Sequence, residues 1–407
     1  MNFRKFLYGC LLAWAAAVGA LGLFEVTRQL PAEAAPRLLT WGLDTSVAPA
    51  NVCLYQTSSA CSNIGTMSAG GQFILPLANL PSLVAESTIA NPLSTTAVPI
   101  SVQLPYSAPQ GRLTLSSGIP IVVNSVTAAT TVYYMPSKHG NLMPLPNVGF
   151  GGYVMTTFPE LSQLTTDATK SPAAVAANSC YDIFGWSDAG TVRATRGPAW
   201  SSCTSRGAGA ALTRNRGLFL NSNAITNGPG AGLGVWLGSV SSNAGSTIDY
   251  IFGAAGSGGV NSRLEVCNAY NREPITTQVI DTGAGYTYSS ATVRQARGAA
   301  TMQVSVLGCA ASDTAVVAYQ TECLTTAGAG SGCDVGMGFD TTTVFSLPRM
   351  RALAPTAAAF TAGQMQSSTW LVGLGVHVLS ANESSVTAAA NTFNNVGFGE
   401  LTLTILH

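Results

Sequence analysis

Apolar residues recur at every second position through most of this chain from residue 111 onward, and this spacing limits what it can become. Leu113 and Leu115 alternate with Arg112 and Thr114, and Met302, Val304 and Val306 with Gln303 and Ser305. Val372, Leu374, Val376 and Val378 alternate with Gly373, Gly375 and His377, and Leu401, Leu403 and Ile405 with Thr402 and Thr404. A side-chain period of two is that of a strand with one face inward and one face wet. Tyr181 to Ser187, the turn Asp188-Ala189-Gly190, and Thr191 to Thr195 read as one hairpin. The Ala-rich residues 357–366 and 384–393 read as short helices, although neither carries a strong apolar stripe. No strand–helix alternation and no fixed-period repeat is visible, which disfavours doubly wound sheets, solenoids and propellers. The expectation is an all-β protein: an antiparallel β-sandwich or jelly-roll-like body with Gly-rich loops and few short helices.

Charge narrows the function classes. Only 9% of the residues are Asp, Glu, Lys or Arg, and 18 basic side chains balance 18 acidic ones. A nucleic-acid binder working through a broad basic surface is therefore disfavoured. A disordered polyelectrolyte is disfavoured too, because 47% hydrophobic content is ample material for a core. Ser, Thr, Asn, Gln and Gly must make up the polar surface, as suits a β-rich protein outside the cytoplasm.

The first residues read as an address. Arg4 and Lys5 precede an uncharged run from Phe6 to Phe24, and Ala32-Glu33-Ala34 offers a small-x-small cleavage site before Ala35. That pattern is a secretory signal. The run of 19 residues is also close to the length that spans a bilayer, so a retained anchor through residues 6–24 stays open. Nine cysteines are present, and Cys10 belongs to the apolar run. The other eight fall in four sequence-local couples: Cys53 with Cys61, Cys180 with Cys203, Cys267 with Cys309, and Cys323 with Cys333. Disulfides in these couples agree with export, while plain buried thiols are the alternative. A zinc site is disfavoured because no Cys-x-x-Cys occurs. The chain divides into a leader at 1–34, a Pro/Ser/Thr-rich β segment at 35–102, a β-sandwich body at 103–310, and C-terminal strands at 311–407 that pack on the body.

Motifs for chemistry are scarce. His139 lies in a turn, His377 within an alternating strand and His407 at the end of the sequence, all places where a lone His is usually structural or solvated. Gly185-Trp186-Ser187-Asp188-Ala189 resembles a degenerate nucleophile elbow, but a turn and a strand follow it, not a helix. Asp182 and Asp188 share a strand face at a spacing of roughly 20 Å, too far for a glycosidase pair. Neither a phosphate loop nor a calcium loop is present. No catalytic residue, metal ligand or cofactor is expected. Arg193, Arg196, Arg206, Arg214 and Arg216 form an acid-free basic stretch. Arg193 and Arg196, with Trp186 and Trp200 nearby for stacking on a sugar, are candidates for holding an anionic glycan or lipid headgroup. Pairing of these arginines with acids elsewhere is the plainer reading. Asn382-Glu383-Ser384 is a glycosylation sequon, meaningful in a eukaryotic host.

A family resemblance begins at Ala108-Pro109-Gln110-Gly111-Arg112-Leu113-Thr114-Leu115 and Gly118-x-Pro120. It continues through Thr130-Thr131-Val132-Tyr133-Tyr134-Met135-Pro136 and Gly140-Asn141-Leu142-Met143-Pro144. Gly197-Pro198-Ala199-Trp200-Ser201-Ser202, Thr204-Ser205-Arg206-Gly207 and Asn268-Ala269-Tyr270-Asn271-Arg272 complete it. Over roughly residues 103–310, and more faintly to the C-terminus, the chain resembles phage and prophage proteins of tail-fibre or other virion-surface type, mostly of undefined function. The resemblance implies a non-enzymatic structural or attachment protein that is β-structured and homo-oligomeric, a trimer among its arrangements. It supplies no catalytic residues. A surface glycan is the partner such a protein would meet, with avidity from oligomerisation. The leader and the cysteine couples are not features of virion assembly in a host cytoplasm, so virion and bacterial-envelope origins both stay open. A secreted carbohydrate-binding protein or glycoside-active enzyme is the alternative function.

Overall fold

The computed structural model describes residues 108–147, 152–325, 328, 330–355, 360–387, 390–394 and 398–407, together with the backbone of four strands between Thr40 and Ile74. The leader expected at 1–34 and the Cys53–Cys61 couple lie outside the residues whose side chains are described. By backbone contacts the chain forms two units, Met1–Val102 and Gln103–His407. In the first, Thr40–Asp44, Asn51–Tyr55, Ser62–Met67 and Phe73–Ile74 pair antiparallel in chain order.

The second unit is all-β, and its regular structure outside strands is one 3₁₀ turn at Ala296–Gly298 among the described residues. Two large sheets dominate it. One has Met350–Leu353, Gly332–Phe339, Gly375–Ser385, Gln303–Gly308, Ser262–Leu264, Ile248–Ile251 and Val126–Ala129 side by side. The other runs Ala255–Gly256, Pro274–Asp281, Gly399–Leu406 and Thr314–Thr325, with Phe360–Leu371 along the outer side of the last strand. Val304, Val306, Val335, Met337 and Leu379 of the first sheet share one continuous core with Val279, Val317, Tyr319, Leu401 and Leu403 of the second. This is the sandwich that the alternating pattern implies. In Pro274–Asp281, Ile275, Thr277, Val279 and Asp281 point inward while Pro274, Thr276 and Gln278 are exposed. The strands beyond residue 311 do more than pack on the body, because they hydrogen-bond into it: Gly375–Ser385 pairs with Gln303–Gly308 and Gly399–Leu406 with Pro274–Asp281.

The hairpin at 180–199 is present. Cys180–Asp188 pairs with Thr191–Ala199 through a two-residue turn in which Ala189 has φ 48° and Gly190 φ 90°. Two left-handed residues give the turn whose twist matches that of the flanking strands.

Three local expectations are corrected. Residues 357–366 and 384–393 do not form helices in their described parts; Phe360–Leu371, Gly375–Ser385 and Asn391–Phe393 are strands. A short helix without an apolar stripe is marginal. Here a ladder of twelve register partners with Thr314–Thr325 outweighs the propensity of Ala. The alternation at 372–378 is not one strand: the chain turns at Gly373, with φ 81°, and the strand begins at Gly375. Gly111–Thr114 has no wet face, because Arg112 and Thr114 are as buried as Leu113.

Candidate functional site

The basic stretch does not converge on one site. At the hairpin, Trp186 and Arg193 are cross-strand partners. The Trp186 indole N–H donates to Thr195 Oγ1 at 2.6 Å, and Arg193 Nε lies 2.7 Å from Asp188 Oδ2, which also takes Lys170 Nζ at 2.7 Å. Lys170 and Arg193 together hold the Asp188 carboxyl below its usual range. This corner is open to solvent.

Arg196 and Trp200, the other two candidates, are internal. Arg196 is buried and donates to the backbone carbonyls of Leu164, Thr165, Asp167 and Ala173, clamping that loop onto the hairpin. Desolvation lowers its pKa. Trp200 donates its indole N–H to Asp182 Oδ2 at 3.1 Å. The Arg206 guanidinium is sandwiched 4.5 Å from the Trp200 ring and 4.9 Å from Trp236, and it grips Asp182 with Nε at 2.8 Å and Nη2 at 3.0 Å. Ser239 Oγ donates to the same carboxylate at 2.6 Å. Charge-assisted pairing plus stacking accounts for a buried acid here. Arg214 lies over Phe219. Asp182 and Asp188 are therefore engaged in separate ion pairs.

Two acidic centres were not visible in the sequence. Glu383 has no exposed surface; it accepts the Tyr286 hydroxyl, Arg294 Nε at 2.9 Å and Nη2 at 2.8 Å, and the Arg297 amide at 3.2 Å. Burial pushes its pKa up to about 7. Arg297 also reaches Asp281 Oδ2 at 2.7 Å and lies over the Tyr286 ring. Only Glu383 was near a motif, the sequon, and that motif is closed: Asn382 is buried and donates to Val344 O at 2.8 Å. At the second centre, Asp249 Oδ2 and Glu265 Oε1 lie 3.5 and 3.6 Å from one nitrogen of Arg263. Burial pushes Glu265 up to about 7, and Asp249 adds to the rise. A carboxyl poised near neutrality beside a second carboxylate is the composition of a general acid with its partner. Both carboxyls are already tied to the fold by hydrogen bonds. Glu265 Oε2 accepts the Asp249 amide at 2.7 Å, and Asp249 takes the Ala128 amide at 2.8 Å and Asn243 Nδ2 at 3.0 Å.

His377 Nδ1 meets Asp340 at 2.8 Å, and His407 is buried with Nε2 at 2.7 Å from Leu307 O. Burial lowers the His407 pKa to about 4. Two cavities among the described residues, one beside Arg112 and Tyr250 and one beside Asp182 and Phe184, measure about 20 and 10 Å³, the space of roughly one water. Among the described residues, no three His, Cys, Asp or Glu side chains converge as metal ligands. Three of the expected cysteine couples are disulfides: Cys180–Cys203, Cys267–Cys309 and Cys323–Cys333. No helix of the described residues is long and apolar enough to cross a membrane.

No family model matches the chain, and no curated protein does. Among solved structures, the infectious bursal disease virus VP2 subviral particle is 10% identical with a TM-score of 0.24, over 66% of this chain and 65% of that one. Dimeric latent PorU from Porphyromonas gingivalis is 12% identical with a TM-score of 0.23, over 57% of this chain and 24% of that one. The insecticidal delta-endotoxin Cry8Ea1 from Bacillus thuringiensis is 8% identical with a TM-score of 0.20, over 73% and 52%. The chain spans less than two thirds of each of these proteins, and likenesses at such scores say nothing about what it does.

Proposed function

We propose that the chain is a non-enzymatic structural or attachment protein, exported and displayed as a homo-oligomer on a virion or bacterial envelope. The observation that carries this reading is the solvent face of the sheet formed by Pro274–Asp281, Gly399–Leu406, Thr314–Thr325 and Phe360–Leu371. Thr276, Thr404, Val316 and Thr369 lie in one row across its four strands, and Gln278, Thr402, Ala318 and Ser367 in the next. The four strands contain no Lys or Arg. Glu322 and Glu400 are the acids on its outward positions, and a broad β face this poor in charge suits contact with another surface more than capture of a small ion. The three disulfides support an oxidising compartment. The resemblance to tail-fibre-like proteins points the same way.

A polysaccharide-active enzyme is the second reading, and Asp249 with Glu265 is the observation that favours it. One experiment separates the two. The exported protein is incubated with bacterial cells and purified envelope polysaccharide, and both bound protein and new reducing ends are measured. Saturable binding or assembly without new reducing ends is the expected result. Turnover that Glu265→Gln abolishes while binding persists would establish the enzyme and end the structural reading.

A further inference from the structure

We propose that the outer edge of Phe360–Leu371 is the surface through which a second copy of this chain adds, by antiparallel strand pairing. The inference rests on the homo-oligomeric reading above and names its contact. The strand pairs with Thr314–Thr325 from Thr314↔Leu371 to Thr325↔Phe360, and among the described residues no strand pairs with its other side. Half of its backbone N–H and C=O groups therefore face outward along an unfilled ladder.

Sheet edges in soluble proteins are normally blunted by charge, proline, a bulge or shortness. The far edge of this same sheet follows that rule, ending in the two-residue strand Ala255–Gly256. Phe360–Leu371 does not: its twelve residues hold no Lys, Arg, Asp, Glu or Pro, and its ladder has no register shift. Gln364 and Gln366 turn inward, where Gln364 Nε2 donates to Met350 O at 3.1 Å and Gln366 to Pro348 O. These bonds fix the strand's roll, so Thr361, Gly363, Met365, Ser367, Thr369 and Leu371 all face solvent. Met365 and Leu371 are 60% and 63% exposed, which is costly for side chains of this size.

A second copy is the occupant because the edge is complementary to itself. An antiparallel pair centred on Gln366 sets Met365 against Ser367, Gly363 against Thr369 and Thr361 against Leu371. Every outward residue then meets an outward residue, and no like charges oppose each other. A two-fold axis through that point is closed and isologous. The charge-poor face of one protomer would continue into that of the other as a single sheet. A charged peptide partner would gain nothing from an edge that offers it no counter-charge.

The test is the mass of the full exported protein by light scattering over a hundredfold range of concentration, with hydrogen exchange of residues 360–371 measured at both ends of the range. The wild type is expected to associate, and its 360–371 amides to gain protection as it does. Met365→Lys with Ser367→Lys should weaken association at least tenfold, whereas Gln278→Lys, on the same face but away from the edge, should leave it unchanged. Peptide mapping of Cys180–Cys203, Cys267–Cys309 and Cys323–Cys333, with a cooperative urea transition like that of the wild type, confirms that each variant is folded. A monomer at every concentration overturns the proposal, although saturable cell binding by that monomer would leave the attachment reading standing. Association that the paired lysines do not weaken, or that leaves 360–371 exchange unchanged, places the contact elsewhere. Protection of these amides while the protein is monomeric means that the chain's own remaining residues cover the edge, and this also overturns it.

Discussion

The hairpin region and the C-terminal sheet use opposite means to the same end. Around Cys180–Ala199, order comes from a few strong, buried polar contacts: Asp182 held by Arg206, Trp200 and Ser239, and Arg196 held by four carbonyls. Across Pro274–Asp281, Gly399–Leu406, Thr314–Thr325 and Phe360–Leu371, order comes from long ladders and alternating Val, Leu, Ile and Thr. A chain this poor in charge places much of it inside. Asp182, Arg196, Asp249, Glu265, Asp334 and Glu383 are all buried, although charged residues are almost never fully buried unless paired. The solvent face of the C-terminal sheet is mostly Thr, Ser and Gln, with Val316, Met365 and Leu371 among its apolar side chains and Glu322 and Glu400 as its acids. Most of the charge here therefore sets position, and the charge-poor surface is the part free to meet a partner.

The largest effect expected follows from breaking the buried pair. Asp182→Ala removes the acceptor for Arg206, Trp200 and Ser239 and leaves a guanidinium between two indoles without its counter-ion. Breaking one side of a buried ion pair costs about 3–5 kcal/mol. A loss of that size in urea unfolding is expected, against about 0.5 kcal/mol or less for Thr276→Ser on the exposed face. Equal effects at the two positions would remove the contrast between the regions.

Disulfides sharpen it next. Cys267–Cys309 closes a sequence separation of 42 and Cys323–Cys333 one of 10. In the chain-entropy account the longer loop contributes about 1 kcal/mol more, and either bridge contributes about 2–4 kcal/mol. Replacing each pair with Ala and comparing urea midpoints tests the order. A greater loss from the short loop would mean that Cys323–Cys333 acts through packing on its strands instead.

Protonation gives a signed test. Glu265 has a folded-state pKa of about 7 against an ordinary 4.5. The folded state holds that proton more tightly, so its contribution is greatest below pH 4.5 and falls as pH rises through 7. His407 runs the other way: with a folded pKa of about 4, it contributes fully above pH 6.5 and loses that contribution as pH falls toward 4. Glu265→Gln should therefore gain stability relative to wild type between pH 4.5 and 7, by about 3 kcal/mol at most. His407→Gln should flatten the acid limb. Denaturation midpoints from pH 4 to 8 check both, and a Glu265→Gln gain that is the same at pH 4 and pH 8 would refute the assignment.

The fold class was legible because strands announce themselves locally. Leu401, Leu403 and Ile405 lie inward as their alternation requires, and Asp188-Ala189-Gly190 turns the hairpin. Three cysteine couples were legible because neighbours in sequence became partners in space. The Ala-rich segments misled because strand pairing is non-local: nothing within 357–366 signals that Thr314–Thr325 lies alongside. The acidic centres were hidden for the same reason. Glu383 meets Tyr286 and Arg294 across 97 and 89 residues. Arg196 and Trp200 look like surface candidates in sequence because a basic stretch has no inside or outside until the loop at 164–173 folds over Arg196 and Arg206 stacks on Trp200.

The smallest expected effect tests that last distinction within one stretch of chain. Arg193 and Arg206 are thirteen residues apart, and each pairs with an aspartate at 2.7–2.8 Å. Geometry alone would rank them equal. Their surroundings differ: the Arg193 side chain is 44% exposed, and its partner Asp188 keeps Lys170 as a second cation. Solvent-exposed ion pairs contribute about 0–1 kcal/mol and weaken with salt. Arg193→Ala should therefore cost less than about 1 kcal/mol, with a smaller cost at 1 M salt than at 0.1 M, and Asp188 should still be held by Lys170. If Trp186 and Arg193 form a glycan or headgroup contact, the same substitution lowers binding to cells while barely moving the urea midpoint. A loss of stability as large as that of Asp182→Ala would mean that the hairpin corner is as structural as the buried stack, and would remove Arg193 from the surface open to a partner.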